Sequence, residues 1–234
     1  ETQRRFTGNA AHELRTPLAL IQAQLDLYHT TEHPESTAVA EETIQMVTEQ
    51  NERLSKLVRT LLDMSELQTV SRNDRIELHS LIEEVLTDLE PLAQEKKVEL
   101  IQKSQGAGAK ADEELFLTGS DILIYRMLYN LVENAIKYNK EHGWVKVLLD
   151  ADHQFFTVEV SDSGIGIPED SVDHIFERFF RVDKSHSREI GGTGLGLAIA
   201  RNAVIAHRGA IKVYSEEGEG TTFTVRIPLI YTAS

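Results

Sequence analysis

The sequence predicts a helical hairpin that pairs with a second copy into a dimeric four-helix bundle, followed by an α/β two-layer sandwich with a mixed sheet. The length of 234 residues exceeds one typical domain, and an apolar share of 41% suits two separate cores. Apolar residues recur every three or four positions in the first third of the chain. Strand and helix patterns alternate in the remainder, which indicates a layered α/β domain.

Two amphipathic stripes predict the hairpin, which we assign to residues 1–70. The first stripe consists of Phe6, Ala10, Leu14, Leu18, Ile21, Leu25 and Tyr28. The second consists of Val47, Leu54, Leu57, Val58, Leu61 and Leu62. The polar stretch around Pro34 interrupts the helical pattern, so the chain is expected to reverse there. Because a lone hairpin buries one face of each helix, the pattern also predicts a homodimer.

The polar residues 71–75 are predicted to form a linker to a second domain at 76–232. The predicted strands are 76–78, 98–103, 145–149, 156–160, 210–214 and 222–228. The predicted helices are 80–95, 121–138, 172–179 and 197–207. Ser120 stands where it can cap the second of these helices. The Gly-rich stretch at about 168–196 is predicted to be a lid.

Composition limits the classes of partner. Asp and Glu number 38 against 24 Lys and Arg, for a net charge of −14, which disfavours a broad nucleic-acid or anionic-membrane surface. The absence of cysteine excludes disulfides and thiolate metal sites and fits a reducing, cytoplasmic compartment. No apolar run approaches the ~20 residues of a membrane span. Because Glu1 already lies in a helical pattern, we expect a fragment of a longer protein.

A histidine motif lies on the first helix, in the sequence Ala-His-Glu-Leu-Arg-Thr-Pro-Leu. His12 is two residues from Leu14 and therefore roughly opposite the apolar stripe, facing water. A neutral imidazole nitrogen can act as a nucleophile, and Glu13 can serve as its general base. Thr16, one turn on, can orient a phosphate or a water. An isolated His-Glu pair is more often an ordinary exposed histidine, so the assignment depends on the motifs that follow.

Two asparagines one helical turn apart indicate a cation site. Asn130 and Asn134 share one face of the predicted helix, and amide oxygens suit Mg²⁺ when nucleotide phosphates supply the other ligands. Lys137 can add a phosphate contact. Taken alone, the pair is equally consistent with an ordinary polar helix face.

Two glycine-rich segments complete the candidate site. Asp162 ends a predicted strand before Gly164 and Gly166, and its carboxylate can accept a hydrogen bond from an adenine amino group. The segment Gly-Gly-Thr-Gly-Leu-Gly-Leu at 191–197 precedes a helix, where backbone N–H groups can hold phosphates. It lacks the Gly-Lys-Ser/Thr of a P-loop, and no strand leads directly into it as a dinucleotide fingerprint requires.

Together these segments resemble the ordered motif series of sensor histidine kinases, with an H box at His12 followed by N, G1, F, G2 and G3 boxes. The resemblance implies a dimerisation and phosphotransfer domain followed by an ATP-binding domain of the Bergerat fold. It implies Mg²⁺- and ATP-dependent phosphorylation of His12 and transfer to an aspartate of a response regulator. Phosphatase activity toward that regulator, aided by Thr16, is also implied, as is a parent protein in the cell membrane.

The resemblance also distributes roles among the residues. It implies that Asn134 binds Mg²⁺, that Asp162 binds adenine, and that Lys137 and Tyr138 adjoin the nucleotide. Related gyrase-type ATPases carry a water-activating Glu where this chain has Asn130, so hydrolysis is disfavoured. The other ATP-binding candidates are Gly164, Gly166, Ile167, Arg178, Arg181, Gly192, Thr193, Gly194, Leu195, Gly196, Leu197 and Thr222.

Two alternative functions keep the ATP site but change its use. A dimeric ATP-sensing scaffold would bind ATP without transferring phosphate, which would make His12 incidental. A gyrase-like or chaperone-like ATPase would require a carboxylate to activate water, which the Asn130 position lacks. Phosphoprotein formation separates the kinase from both.

Overall fold

The chain divides into two compact units, Glu1–Ser65 and Glu66–Ser234. The computed structural model describes Leu14, 17–23, 25–27, Ala40, 42–51, 54–55, Val58, 71–105, 114–182 and 193–230. The described residues of the first unit are all helical, as the two stripes predict. One-turn contacts support these helices, for example the 2.8 Å hydrogen bond from the Thr48 hydroxyl to the Ile44 carbonyl. The predicted reversal around Pro34 lies outside the described residues.

The second unit contains seven strands and three helices in its described residues. In chain order they are β1 (Asp74–Glu77), α1 (Leu78–Lys96), β2 (Glu99–Gln105), β3 (Phe116–Gly119), α2 (Asp121–Lys137), β4 (Trp144–Ala151), β5 (Phe155–Asp162), α3 (Gly196–Ala206), β6 (Ala210–Glu216) and β7 (Gly220–Pro228). The main sheet has the order β2-β4-β5-β7-β6, with β2 parallel to β4 and the other pairs antiparallel. This is the predicted mixed sheet. Strands β1 and β3 form a separate antiparallel pair.

One core lies between the main sheet and the helices. Alternate residues of β4 and β5 are buried, among them Val147 and Val158, as expected for strands with one face on the core. The buried faces of α1, α2 and α3 join the same cluster, with Leu128 and Val204 as examples. The other sheet face is more polar and more exposed. The result is the predicted two-layer sandwich.

Several predicted boundaries differ from the structure. Strand β1 begins at Asp74, inside the predicted linker, and ends at Glu77, because the Glu77 carboxylate accepts hydrogen bonds from the first amides of α1. Strand β3 has no counterpart among the predicted strands, since its four residues are too short for a clear alternation. The predicted helix at 172–179 is wrong. That segment is a series of turns, with bonds such as Glu177 N–H to His174 O, three residues apart.

Ser120 occupies the predicted N-cap position of α2 but does not cap it through its side chain. Its hydroxyl is buried and makes no hydrogen bond within the described part of the chain. The backbone N–H of Ser120 instead donates to Nε2 of His207 at 2.9 Å. The start of α2 is therefore held by a tertiary contact to the residue that follows α3.

Candidate nucleotide-binding site

Helix α2 carries Asn130 and Asn134 one turn apart, both half-buried. Nδ2 of Asn130 donates to the backbone oxygen of Arg126 at 2.7 Å, which fixes the orientation of this amide. Its Oδ1 faces the start of α3, because a Cβ added to Gly196 would stand 2.7 Å from that oxygen. Glycine at 196 thus lets the N-terminus of α3 approach the asparagine closely.

The amide of Asn134 makes no hydrogen bond to the described part of the chain, in contrast to that of Asn130. No group of three or more His, Asp or Glu side chains in the described residues is arranged to hold a metal ion by itself. One amide oxygen is a sufficient protein ligand for Mg²⁺ when phosphate oxygens and water complete the octahedron. The donor set at Asn134 therefore fits a Mg²⁺ ion that arrives with a nucleotide.

Lys137 forms an ion pair that the sequence analysis did not identify. Its Nζ lies 2.7 Å from Oε1 of Glu133, one turn earlier on α2, and the two side chains are only 14% and 21% exposed. The i,i+4 spacing is the usual one for such pairs and was a usable signal. In this structure the ammonium group predicted to contact phosphate is engaged by a carboxylate beside Asn134.

Asp162 ends β5 with one carboxylate oxygen occupied and the other available. Oδ1 accepts hydrogen bonds from the backbone N–H groups of Gly164 at 2.8 Å and Thr221 at 3.2 Å. Oδ2 makes none to the residues that the structure describes. Burial raises the pKa of Asp162, and the two backbone donors act in the opposite direction. A partly desolvated carboxylate with a free oxygen can accept a hydrogen bond from an amino group of a ligand.

Thr221, the residue before the ATP-binding candidate Thr222, adjoins Asp162. Thr222 lies opposite Ser161 in the β5–β7 ladder, and its hydroxyl bonds to that serine at 3.1 Å. Thr221 is buried and presents its N–H to the carboxylate. The adjacent Gly220 has a φ of 129°, and a Cβ there would stand 2.1 Å from the Asp162 carbonyl oxygen. The choice between the two threonines follows from strand register, which the sequence motif does not specify.

The loop after Asp162 is held on both sides by backbone hydrogen bonds. Ile165 N–H donates to the carbonyl of Tyr138 at the end of α2 at 3.1 Å, and Ile165 O accepts from Gly218 N–H in the β6–β7 turn at 2.8 Å. A Cβ added to Gly164 would stand 2.4 Å from the Tyr138 oxygen. Tyr138 thus contributes its backbone to the frame of the site.

The second glycine of this loop packs against β6. Gly166 has a φ of 70°, and a Cβ there would lie 2.1 Å from the Glu216 carbonyl oxygen. The next residue, Ile167, donates its N–H to the hydroxyl of Ser215 at 2.8 Å. Larger residues at 166 would push the loop away from the sheet edge.

The predicted lid begins with turns that contact the second glycine segment. Phe179 has the left-handed φ of 65°, and its N–H donates to Gly194 O at 2.8 Å. The aromatic rings on either side of this left-handed residue, those of Phe176 and Phe180, pack against the core. The candidate residues Arg178 and Arg181 are half-buried near this contact.

The second glycine segment divides into packing residues and backbone contacts. Leu195 is fully buried and Leu197 packs against the core, so both position α3 rather than face solvent. Thr193 and Gly194 are half-buried, and Gly196 begins the helix beside Asn130. The segment therefore presents the N-terminal N–H groups of α3 on the side of Asn130. The candidates that lie outside the described residues are His12, Glu13, Thr16 and Gly192.

Two family models match the chain. The model of the His Kinase A (phospho-acceptor) domain matches residues 2–70, and the model of the histidine kinase-, DNA gyrase B-, and HSP90-like ATPase matches residues 119–230. The sensor histidine kinase RppB of Synechocystis is 36% identical over 98% of this chain. The chain spans 50% of the length of that relative.

Solved histidine kinases share the fold. The catalytic domain of histidine kinase ThkA superposes with a TM-score of 0.57 at 30% identity, over 67% of this chain and 97% of that domain. A longer ThkA chain, solved in complex with the response regulator protein TrrA, gives 0.72 at 24% identity, over 96% of this chain and 61% of that one. At that identity the second comparison supports the fold alone.

Proposed function

Since this chain belongs to the sensor histidine kinases, we propose that it transfers the γ-phosphoryl group of ATP to His12 and then to an aspartate of a response regulator. The observation that carries the proposal is the arrangement of three groups in the ATPase-like domain. These are the open Oδ2 of Asp162, the available amide of Asn134, and the α3 N-terminus beside Asn130.

In the proposed complex Asp162 accepts a hydrogen bond from the adenine amino group. Its other oxygen is already held by the backbone of Gly164 and Thr221, so the carboxylate is oriented before the nucleotide arrives. Asn134 supplies one Mg²⁺ ligand, and the N–H groups at the start of α3 receive phosphate oxygens. Bound Mg²⁺ would neutralise charge that develops on the phosphates during transfer.

Among the described residues, two polar side chains of α2 next to the Asn134 turn are unsuited to activate water. Asn130 is an amide whose Nδ2 is bonded to the Arg126 carbonyl, and the neighbouring carboxylate of Glu133 is paired with Lys137. Neither group is poised to remove a proton from water, so bound ATP is preserved for a better nucleophile. The imidazole of His12, with Glu13 as its general base, supplies that nucleophile. These two roles rest on the motif and the family.

The remaining features of the proposal concern assembly. Dimerisation through the helical unit is supported by apolar side chains that the single chain leaves exposed, among them Leu18 at 55% and Ile44 at 65%. We propose the phosphotransfer domain at 1–70, a linker at 71–73 that ends where β1 begins, and the ATP-binding domain from Asp74 to about residue 232, with a lid at about 168–196. Thr16 is proposed to aid dephosphorylation of the regulator.

The proposed location is the cytoplasmic side of a membrane-anchored parent protein. Among the described residues no helix is long and apolar enough to cross a bilayer. The chain covers 50% of RppB, and we propose that a parent protein of similar length carries a sensing segment in addition to this chain.

The test is phosphorylation with Mg-ATP labelled on its γ-phosphoryl group. We expect acid-labile, base-stable label on the wild type and none on His12→Gln, while both proteins bind ATP equally because the substitution lies outside the ATP-binding domain. Label that persists in His12→Gln would refute the assignment. Sustained release of phosphate without phosphoprotein would indicate an ATPase, and ATP binding with neither product would indicate an ATP-sensing scaffold. Transfer from labelled protein to a panel of receiver domains would then identify the partner.

A further inference from the structure

Three residues next to the site form a closed hydrogen-bonded ring, which we call the Asn139 ring (Asn139, Trp144 and Ser163). The backbone N–H of Trp144 donates to Oγ of Ser163 at 2.9 Å. The Ser163 hydroxyl donates to Oδ1 of Asn139 at 3.1 Å. Nδ2 of Asn139 donates back to the Trp144 carbonyl at 3.0 Å. The ring therefore joins the residue after Asp162 to the start of β4 and to the segment that follows α2.

Both ends of the Asn139 side-chain amide form two hydrogen bonds each. Nδ2 also donates to the Ala135 carbonyl at 3.0 Å, and Oδ1 also accepts from the Lys140 N–H at 2.9 Å. Because a carbonyl must receive a donor and an N–H must meet an acceptor, only one orientation of the amide satisfies all four contacts. A fully bonded, half-buried amide of this kind rigidifies its surroundings.

Close packing keeps the ring in place. A Cβ added to Gly143 would stand 2.1 Å from Oδ1 of Asn139 and 2.7 Å from Oγ of Ser163. The backbone N–H of Ser163 donates to the Trp144 carbonyl at 3.2 Å as well. Glycine at 143 is thus required for the ring to close.

The ring lies directly beside the carboxylate that the proposed function assigns to adenine. Ser163 follows Asp162, and the next N–H, that of Gly164, is one of the two donors to the Asp162 carboxylate. Beyond it, Ile165 is held by the Tyr138 carbonyl. The backbone on both sides of Gly164 is therefore attached to the end of α2, the helix that carries Asn134.

We propose that Asn139 is a positioning residue for adenine recognition, acting through Ser163 to hold the Asp162 carboxylate in register with Asn134. This inference rests on the proposed function, because it takes Asp162 as the adenine acceptor. Asn139 does not itself touch the nucleotide. Loss of the ring is expected to weaken ATP binding and to reduce discrimination against GTP, whose purine presents an oxygen where adenine presents an amino group.

The sharpest test compares Ser163→Thr with Ser163→Val in the full chain. Threonine and valine have nearly the same shape, and only threonine keeps a hydroxyl that can accept from Trp144 and donate to Asn139. We expect the valine variant to bind Mg-ATP about tenfold more weakly than the threonine variant, with a smaller preference for ATP over GTP. The maximal rate of His12 labelling at saturating ATP should differ by less than about twofold, since the ring positions the base and not the reacting phosphate.

Two further variants separate positioning from general stability. Asn139→Ala should behave like Ser163→Val, and the double variant should bind ATP no more weakly than Asn139→Ala alone, because one break already opens the ring. Asp152→Ala is the control, since Asp152 caps the opposite end of the β4–β5 hairpin through the N–H groups of Gln154 and Phe155, both at 2.8 Å. It should lower Tm and leave ATP affinity unchanged.

The possible results separate the positioning role of Asn139 from the adenine-binding role of Asp162. If Asp162→Asn abolishes ATP binding while Ser163→Thr and Ser163→Val bind ATP and GTP equally, Asn139 has no positioning role. If Asp152→Ala weakens ATP binding as much as Asn139→Ala, the effect is one of stability and the inference is wrong. If Asp162→Asn binds ATP like the wild type, the adenine assignment itself fails, and the inference fails with it.

Discussion

Nε2 of His207 accepts a hydrogen bond from the backbone N–H of Ser120 at 2.9 Å, although 87 residues separate the two in the chain. Nδ1 of the same ring lies 2.8 Å from the Ala203 carbonyl, so the ring is a neutral tautomer with its proton on Nδ1. Burial lowers the pKa of His207 and keeps it neutral. The contact joins the end of α3 to the start of α2, the two helices that bear Asn130 and Gly196.

The first prediction is that His207→Leu destabilises the ATP-binding domain. Leucine has a similar volume but leaves the Ser120 N–H without its acceptor, at a cost of about 1–3 kcal/mol. For a domain of this size the expected fall in Tm is about 3–10 °C, measured by calorimetry of the nucleotide-free protein. An unchanged Tm would show that the Ser120 contact contributes nothing to stability.

The second prediction concerns pH. Because the pKa of His207 is lowered in the folded state from its ordinary 6.5, the unfolded chain takes up the proton first as pH falls. The stability that wild type has over His207→Leu should be fully present above pH 6.5 and decline below it. Urea unfolding across this range measures the difference. The exposed His174, whose pKa is raised by Glu177 at 2.8 Å, provides a control with the opposite sign in His174→Gln.

The third prediction is that Asp162→Asn weakens ATP binding without lowering the stability of the nucleotide-free protein. Burial raises the pKa of this carboxyl, so its charged form is disfavoured in the folded state, and its contribution to stability is lost as pH rises through the folded pKa. Asp162→Asn keeps an oxygen for Gly164 and Thr221 without the charge. We expect the nucleotide-free variant to be at least as stable as wild type at neutral pH, and to bind ATP at least about tenfold more weakly. A clear loss of Tm would contradict this account.

The fourth prediction concerns the ion pair on α2. In Glu133→Gln the ammonium of Lys137 loses its charged partner and a negative charge beside the proposed phosphate site is removed. Affinity for Mg-ATP should therefore rise by about two- to fivefold, an effect that added salt reduces. Lys137→Met in an otherwise wild-type chain should weaken the binding of Mg-ATP. If Glu133→Gln lowers Tm and leaves affinity unchanged, Lys137 is a structural residue and contacts no phosphate.

The fifth prediction compares two glycines of the β6–β7 turn. Gly218 and Gly220 both have positive φ, 87° and 129°, but a Cβ at 218 meets nothing within 4 Å, whereas one at 220 collides with the Asp162 carbonyl. Gly218→Ala should cost about 1–2 kcal/mol of stability and leave ATP affinity intact. Gly220→Ala should displace the end of β5 and abolish ATP binding. Equal behaviour of the two variants would count against the close approach at 220.

Much of the fold could be predicted because its signals are local. Helix α2, predicted at 121–138, ends at Lys137, and strands β4 and β5 lie where alternation predicts strands. The i,i+4 spacing alone places Asn130 and Asn134 on one face. The same spacing applies to Glu133 and Lys137, but spacing alone does not decide whether the lysine pairs with that carboxylate or extends toward a phosphate. The short strand β3 carried too little pattern to be recognised.

The sequence by itself determined the five strands of the main sheet, the three helices packed on it, the family motifs and the residues that share one helix face, because periodicity acts over a few residues. The tertiary structure alone decided that Thr221 and not Thr222 meets Asp162, across 59 residues, and that His207 holds the start of α2 in place of the Ser120 hydroxyl. These partners are chosen by strand register and by the packing of α3 against α2. Such contacts depend on the relative position of distant elements, which no local pattern encodes.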